Sequence, residues 1–169
     1  VTTPVAYEVA MLPPDAFHPA RPPMAPPLSA LTPVTAPLLL DMVMEKRGLV
    51  GPALLQRVTE AVEANLARTS DLAQTASAGD DPGRFVEDFC NWQAIPAYEA
   101  FIRCSAAAAI AGELMGSERV RLFHDHLLVK EGGTAQRTPW HQDQPYYNVE
   151  GTQTCSMWMP VDPVAREST

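Results

Sequence analysis

At 169 residues, the chain has the length of a single domain that can bury a hydrophobic core. Its 12 basic and 20 acidic residues give a formal charge of −8, which argues against nucleic acid or an anionic membrane as partner. Three widely spaced cysteines (Cys90, Cys104 and Cys155), with no C-x-x-C pair, exclude a disulfide framework or zinc knuckle and read as buried thiols of a reducing compartment. No apolar run reaches membrane-span length and the N-terminus has no signal-peptide pattern, so the expected location is cytoplasmic.

Ten of the 17 prolines fall between Pro4 and Pro37. Proline removes a backbone donor and locks φ, so residues 1–40 are expected to form an extended, disordered leader that contributes no central strand. The remainder, 41–169, is expected to be the folded part. Leu54, Leu55, Val58, Val62 and Leu66 recur at helical spacing behind Gly51 and Pro52, and proline at a first helical position loses nothing. Residues 70–84 read as a polar loop. A second helix is expected from Ala97 to Met115, stopped by Gly116 in a left-handed conformation. Both helices are read as packing elements. The pattern then becomes strand-like, with Val120, Leu122, His124, His126 and Leu128 alternating with Arg121, Phe123, Asp125, Leu127 and Val129. A second strand over 153–161 puts Thr154, Ser156 and Trp158 on one face. Helices followed by strands predict an all-β core with flanking helices (α+β), of the sandwich or jelly-roll kind.

The segment 137–147 (RTPWHQDQPYY) carries the pair His141 and Asp143. On an extended strand, residues two apart share a face, so this imidazole and carboxylate can take adjacent corners of one metal. They make two thirds of the 2-His-1-carboxylate triad that holds non-haem Fe(II) with positions open for reaction. A short His-x-Asp pair also arises by chance, and its setting is what raises its weight. Residues 120–134 (VRLFHDHLLVKEGGT), 138–147 and 151–163 (GTQTCSMWMPVDP) together resemble the phytanoyl-CoA dioxygenase family of Fe(II)/2-oxoglutarate oxygenases, as do 83–92 (GRFVEDFCNW). The likeness extends over roughly residues 45–169.

That resemblance implies a double-stranded β-helix, a jelly roll of cupin-like type, incomplete in this chain. It implies Fe(II) and 2-oxoglutarate as cofactor and cosubstrate, with ascorbate as a stimulant, and His141 and Asp143 as catalytic metal ligands. By the same resemblance Lys130 contacts the 2-oxoglutarate carboxylate and Trp158 lines its pocket; Thr138, three residues before His141, is placed to offer the cosubstrate a hydroxyl. Without it, Lys130 is a solvated strand-end lysine and Trp158 a core residue. Gln144, Tyr146 and Tyr147 are expected at the mouth of the cleft, where amphipathic side chains shape recognition. Aspartate at 143 leaves no vacant position for chloride, so hydroxylation is expected over halogenation.

Other readings stand beside this one. His124, His126 and Glu131 form H-x-H-x₄-E, the core of a cupin metal motif, although Glu118 and Thr138 stand where its flanking glycines belong. A non-catalytic partial domain or interaction module displaying the proline-rich arm is a further alternative. No histidine follows His141, so a truncated fragment, inactive alone, is expected. Basic residues are scattered, with Arg119 and Arg121 on an exposed strand face, so a small organic substrate is expected and coenzyme A esters are disfavoured.

Overall fold

The computed structural model describes residues 5–12, 50–138, 143, 146–149 and 153–163. The first element, β1 (Val5–Leu12), already departs from the expectation of a disordered leader. Strand order in the described sheet is β2-β3-β4-β1-β5, so β1 lies inside it, hydrogen-bonded on both edges. The sequence permits this, since Pro4 precedes the strand and Pro13 follows it, leaving an uninterrupted run of eight backbone donors, and the pairing with β4 and β5 makes it an interior strand. The rest of the expected leader lies outside the described residues.

Helix α1 (Pro52–Ala67) starts with proline in its first turn and buries Val58, Val62 and Asn65, the face its spacing predicts. The expected helix over 97–115 is instead two helices, α2 (Pro96–Cys104) and α3 (Ala107–Met115). Ser105 between them is extended, and its hydroxyl accepts from Ala107 N–H at 3.2 Å. Serine's ability to bond nearby backbone competes with a continuous helical ladder. Gly116 ends α3 at φ 61°, as expected. No described helix is long and apolar enough to cross a membrane.

Between α1 and α2 lie β2 (Gln74–Thr75), inside the expected loop, and β3 (Phe85–Phe89). The strands β4 (Arg121–Lys130) and β5 (Cys155–Pro160) fall where alternation places them. All pairings are antiparallel: β2 with β3, β3 with β4, β4 with β1 and β1 with β5.

One face of the sheet carries the helices. Tyr7, Val9 and Met11 of β1, Leu127 and Val129 of β4, Val86 of β3 and Met159 of β5 pack there with Val58, Val62, Tyr98, Phe101 and Ala111. Each such buried Val, Leu or Phe side chain contributes roughly 1.5–3 kcal/mol. Two buried carboxylates add polar ties, the first within the sheet between β1 and β4 and the second between the sheet and α1. Tyr7 donates its hydroxyl to Asp125 at 3.1 Å, and Asp88 accepts from Asn65 of α1 at 2.7 Å. Cys90 and Cys104 are exposed and Cys155 half-buried, all as free thiols, so the expectation of burial fails for the first two.

β4 does not alternate evenly. A bulge opposite Ala10 and Met11 makes Leu122 pair with Met11 on the core side, while Phe123 joins the opposite face with His124. An extra residue reverses the strand's phase beyond it, which uninterrupted alternation missed.

Candidate active site on the sheet face away from the helices

Because Tyr7, Val9, Asp125 and Leu127 turn toward the helices, their neighbours in β1 and β4 turn away from them. Register then sets the neighbours: Glu8 lies opposite His126 on one side and Trp158 on the other, and Ala10 lies between His124 and Ser156. Phe89 of β3 is opposite His126, and Phe85 opposite Lys130. A patch of imidazole, carboxylate, hydroxyl and aromatic groups is thereby assembled from four strands.

Asp143 joins this patch from outside the strands. It sits in a bend, where its carbonyl accepts from Tyr146 N–H at 2.9 Å, so the two-residue strand alternation expected there does not describe it. Its Oδ2 accepts from Ser156 Oγ at 2.5 Å, and Ser156 Oγ in turn lies 3.1 Å from the Tyr147 hydroxyl. Tyr147 is buried against Ala10 and Val149, tilted on Phe123 at 4.7 Å and edge-on to His124 at 5.4 Å. It is therefore a wall of the site and not a residue of its mouth. Tyr146 is exposed.

Electrostatics here are dominated by burial. Burial pushes the Glu8 carboxyl up to about 7, with the adjacent Asp143 charge adding to the rise and His126 opposing it. Glu8 also lies in hydrogen-bonding reach of both Asp143 and Ser156. Burial, then His126, lowers the pKa of His124, while Asp143 pulls it the other way. His126 stacks on Phe89 at 4.0 Å, and its Nε2 lies 3.4 Å from Glu87 Oε1, an approach without hydrogen-bond geometry.

Lys130, at the end of β4, donates to Thr138 Oγ1 at 3.3 Å and lies 4.7 Å above the Phe85 ring, where burial lowers its pKa. Trp158 is 40% exposed on the same face, so it is not a core residue. His141 and Gln144 lie outside the described residues. The cupin-type alternative is not assembled. Glu131 turns to Arg84, whose Nη2 donates to it at 2.6 Å, and among the described residues no group of three or more His, Cys, Asp or Glu is arranged to hold a metal.

Glu8, Ser156 and Glu87 were not read as site residues. The signal for Glu8 was present: it is the lone charge in 5–12 (VAYEVAML), between residues that alternate with it. Its meaning depends on a pairing more than a hundred residues away.

Among the described residues, sheet and patch together define an antiparallel five-stranded sheet with helices on one face and polar and aromatic side chains on the other. The chain matches the family model for phytanoyl-CoA dioxygenase (PhyH) over residues 47–168 and belongs to that family, one of Fe(II)/2-oxoglutarate-dependent oxygenases. No curated protein and no solved structure matches it significantly.

Among the described residues, Asp143 offers the kind of carboxylate oxygen that a hard divalent cation takes, with the Glu8 carboxyl within hydrogen-bonding reach of it.

Proposed function

We propose that this protein is an Fe(II)/2-oxoglutarate-dependent hydroxylase of a small organic substrate, built on a jelly-roll domain. The observation that carries the proposal is the seating of the Asp143 carboxylate, within a segment matching an oxygenase family, on the sheet face shared by His124, Ser156 and Trp158. His141 and Asp143 would hold the metal, and Lys130, Thr138 and Trp158 would serve the cosubstrate. Bound Fe(II) and 2-oxoglutarate supply the oxidation, in which one atom of O₂ enters a substrate C–H bond and the other enters succinate as CO₂ leaves.

The chain's own residues do the rest. The Lys130 ammonium, held by Thr138 and partly desolvated, can pair with a carboxylate more strongly than a fully hydrated lysine. Trp158 presents an apolar surface beside Glu8, against which a bound organic molecule can pack. With iron bound, the Asp143 carboxylate would serve as a ligand in place of halide, which favours hydroxylation. Arg119 and Arg121 are both exposed and form no phosphate-binding cluster with their neighbours, so free organic acids or other small molecules are preferred over coenzyme A esters.

Anaerobic addition of Fe(II) and 2-oxoglutarate should produce the visible charge-transfer absorption of a chelated 2-oxo acid. Asp143→Ala should abolish it, and Lys130→Ala should raise the 2-oxoglutarate concentration needed about tenfold or more, the loss expected for a desolvated charge pair. Undiminished absorption in Asp143→Ala would refute the assignment. Substrate class is tested by comparing free acids with their thioesters as stimulants of 2-oxoglutarate consumption; stimulation by thioesters alone overturns the preference.

A further inference from the structure

We propose that Ser156, itself oriented by Tyr147, is the positioning residue of the Asp143 carboxylate, and that it presets that carboxylate for a divalent metal. The inference rests on the reading of Asp143 as a metal ligand. Asp143 stands in a bend, where its carbonyl accepts from Tyr146 N–H, and its carboxylate has two side-chain torsions to fix. The 2.5 Å bond from Ser156 Oγ to Oδ2 fixes them from a neighbouring strand.

Direction follows from counting protons. Serine has one hydroxyl hydrogen, and the 2.5 Å geometry directs it to the Asp143 carboxylate, although the Glu8 carboxyl is also within reach of Ser156. The 3.1 Å contact between Ser156 Oγ and Tyr147 Oη is then donated by tyrosine. The result is a one-way chain, from Tyr147 hydroxyl to Ser156 hydroxyl to Asp143 carboxylate. Polarisation along such a chain strengthens its last bond.

Both upstream members are rigidly placed. Ser156 is paired with Ala10 of the interior strand β1, and the small alanine leaves the space that the Tyr147 ring fills. Tyr147 is further held by Phe123, which reaches this face only because of the bulge in β4. Outer partners of this kind orient metal-ligating carboxylates, and their loss typically costs about 10–100-fold in metal affinity.

The test is anaerobic calorimetric titration of the full chain with Fe(II) alone, with folding of each variant followed by circular dichroism and thermal melting. Ser156→Ala should weaken Fe(II) binding about 10–100-fold. Ser156→Thr, which keeps the hydroxyl, should restore most of it. Tyr147→Phe keeps the ring contacts and should weaken binding several-fold with little change in melting, which a purely structural role would not produce. Asp143→Ala is the control for the underlying reading and should abolish binding. If Asp143→Ala abolishes binding but Ser156→Ala and Tyr147→Phe stay within about threefold of wild type, the positioning role is overturned and the ligand assignment survives. If Asp143→Ala binds as wild type does, or the wild type binds no Fe(II), the ligand assignment falls and the positioning role falls with it.

Discussion

Asp88→Ala should be the most damaging single polar substitution on the helix side of the sheet. The Asp88 carboxylate accepts from Asn65 Nδ2 at 2.7 Å, Ser70 N–H at 2.9 Å, Ser70 Oγ at 2.5 Å and Phe89 N–H at 2.9 Å. It thereby joins the end of α1 and the following turn to β3. Hydrogen bonds to a charged group contribute roughly 1.5–3 kcal/mol each and do not add fully. Ser70 can turn to water, being half-buried, but Asn65 is 4% exposed and its Oδ1 already has no hydrogen-bond partner. Truncation would strand its Nδ2 as well. A cost of about 3–5 kcal/mol follows, as for other buried groups whose charged partner is removed. Urea unfolding at pH 7 with unchanged m-value measures it, and Asn65→Ala in the same background should reduce the cost. The pH dependence has a definite sign. Burial alone would raise the Asp88 pKa, but the bonds from Ser70, Asn91 and Asn65 outweigh it and hold the carboxyl below its ordinary value. The unfolded chain therefore binds this proton first, so the stabilisation is complete above the ordinary pKa of about 3.9 and is lost as pH falls through the lowered value. The gap between wild type and Asp88→Ala should shrink in that acid range. A cost below about 1 kcal/mol at pH 7, or a gap that widens in acid, would show the reasoning to be wrong.

Two substitutions probe other parts of the fold. A Cβ at Gly83 would meet Gly132 O at 2.5 Å and Glu131 O at 2.8 Å, both backbone atoms, so Gly83→Ala should cost more than about 2 kcal/mol in thermal or urea unfolding; a neutral effect would mean that the turn opens freely. Glu131→Gln breaks an ion pair with Arg84 whose side chains are 67% and 37% exposed, so it should leave the urea midpoint and Fe(II) binding unchanged; loss of metal with this variant would revive the H-x-H-x₄-E reading.

Local features were legible in the amino-acid sequence because their causes are local. Pro52 begins α1, Gly116 ends α3, and alternation marks β4 and β5, each through backbone preferences or side-chain period within a few residues. The motif at 137–147 and its flanks likewise pointed to the oxygenase family that the whole-segment match assigns. Tertiary structure decided what depends on pairing across the chain. Proline density made residues 1–40 look unstructured, yet 5–12 form an interior strand, because β4 and β5 supply hydrogen bonds along both its edges. That pairing sets Glu8 beside Asp143, and the bulge in β4 brings Phe123 behind Tyr147. The chain of Tyr147, Ser156 and Asp143 likewise appears only once β5 lies against β1, since no short-range period relates a bend residue to a strand residue thirteen positions on. Register, which a single extra residue can reverse, is a property of two strands together, and so neither strand's sequence contains it alone.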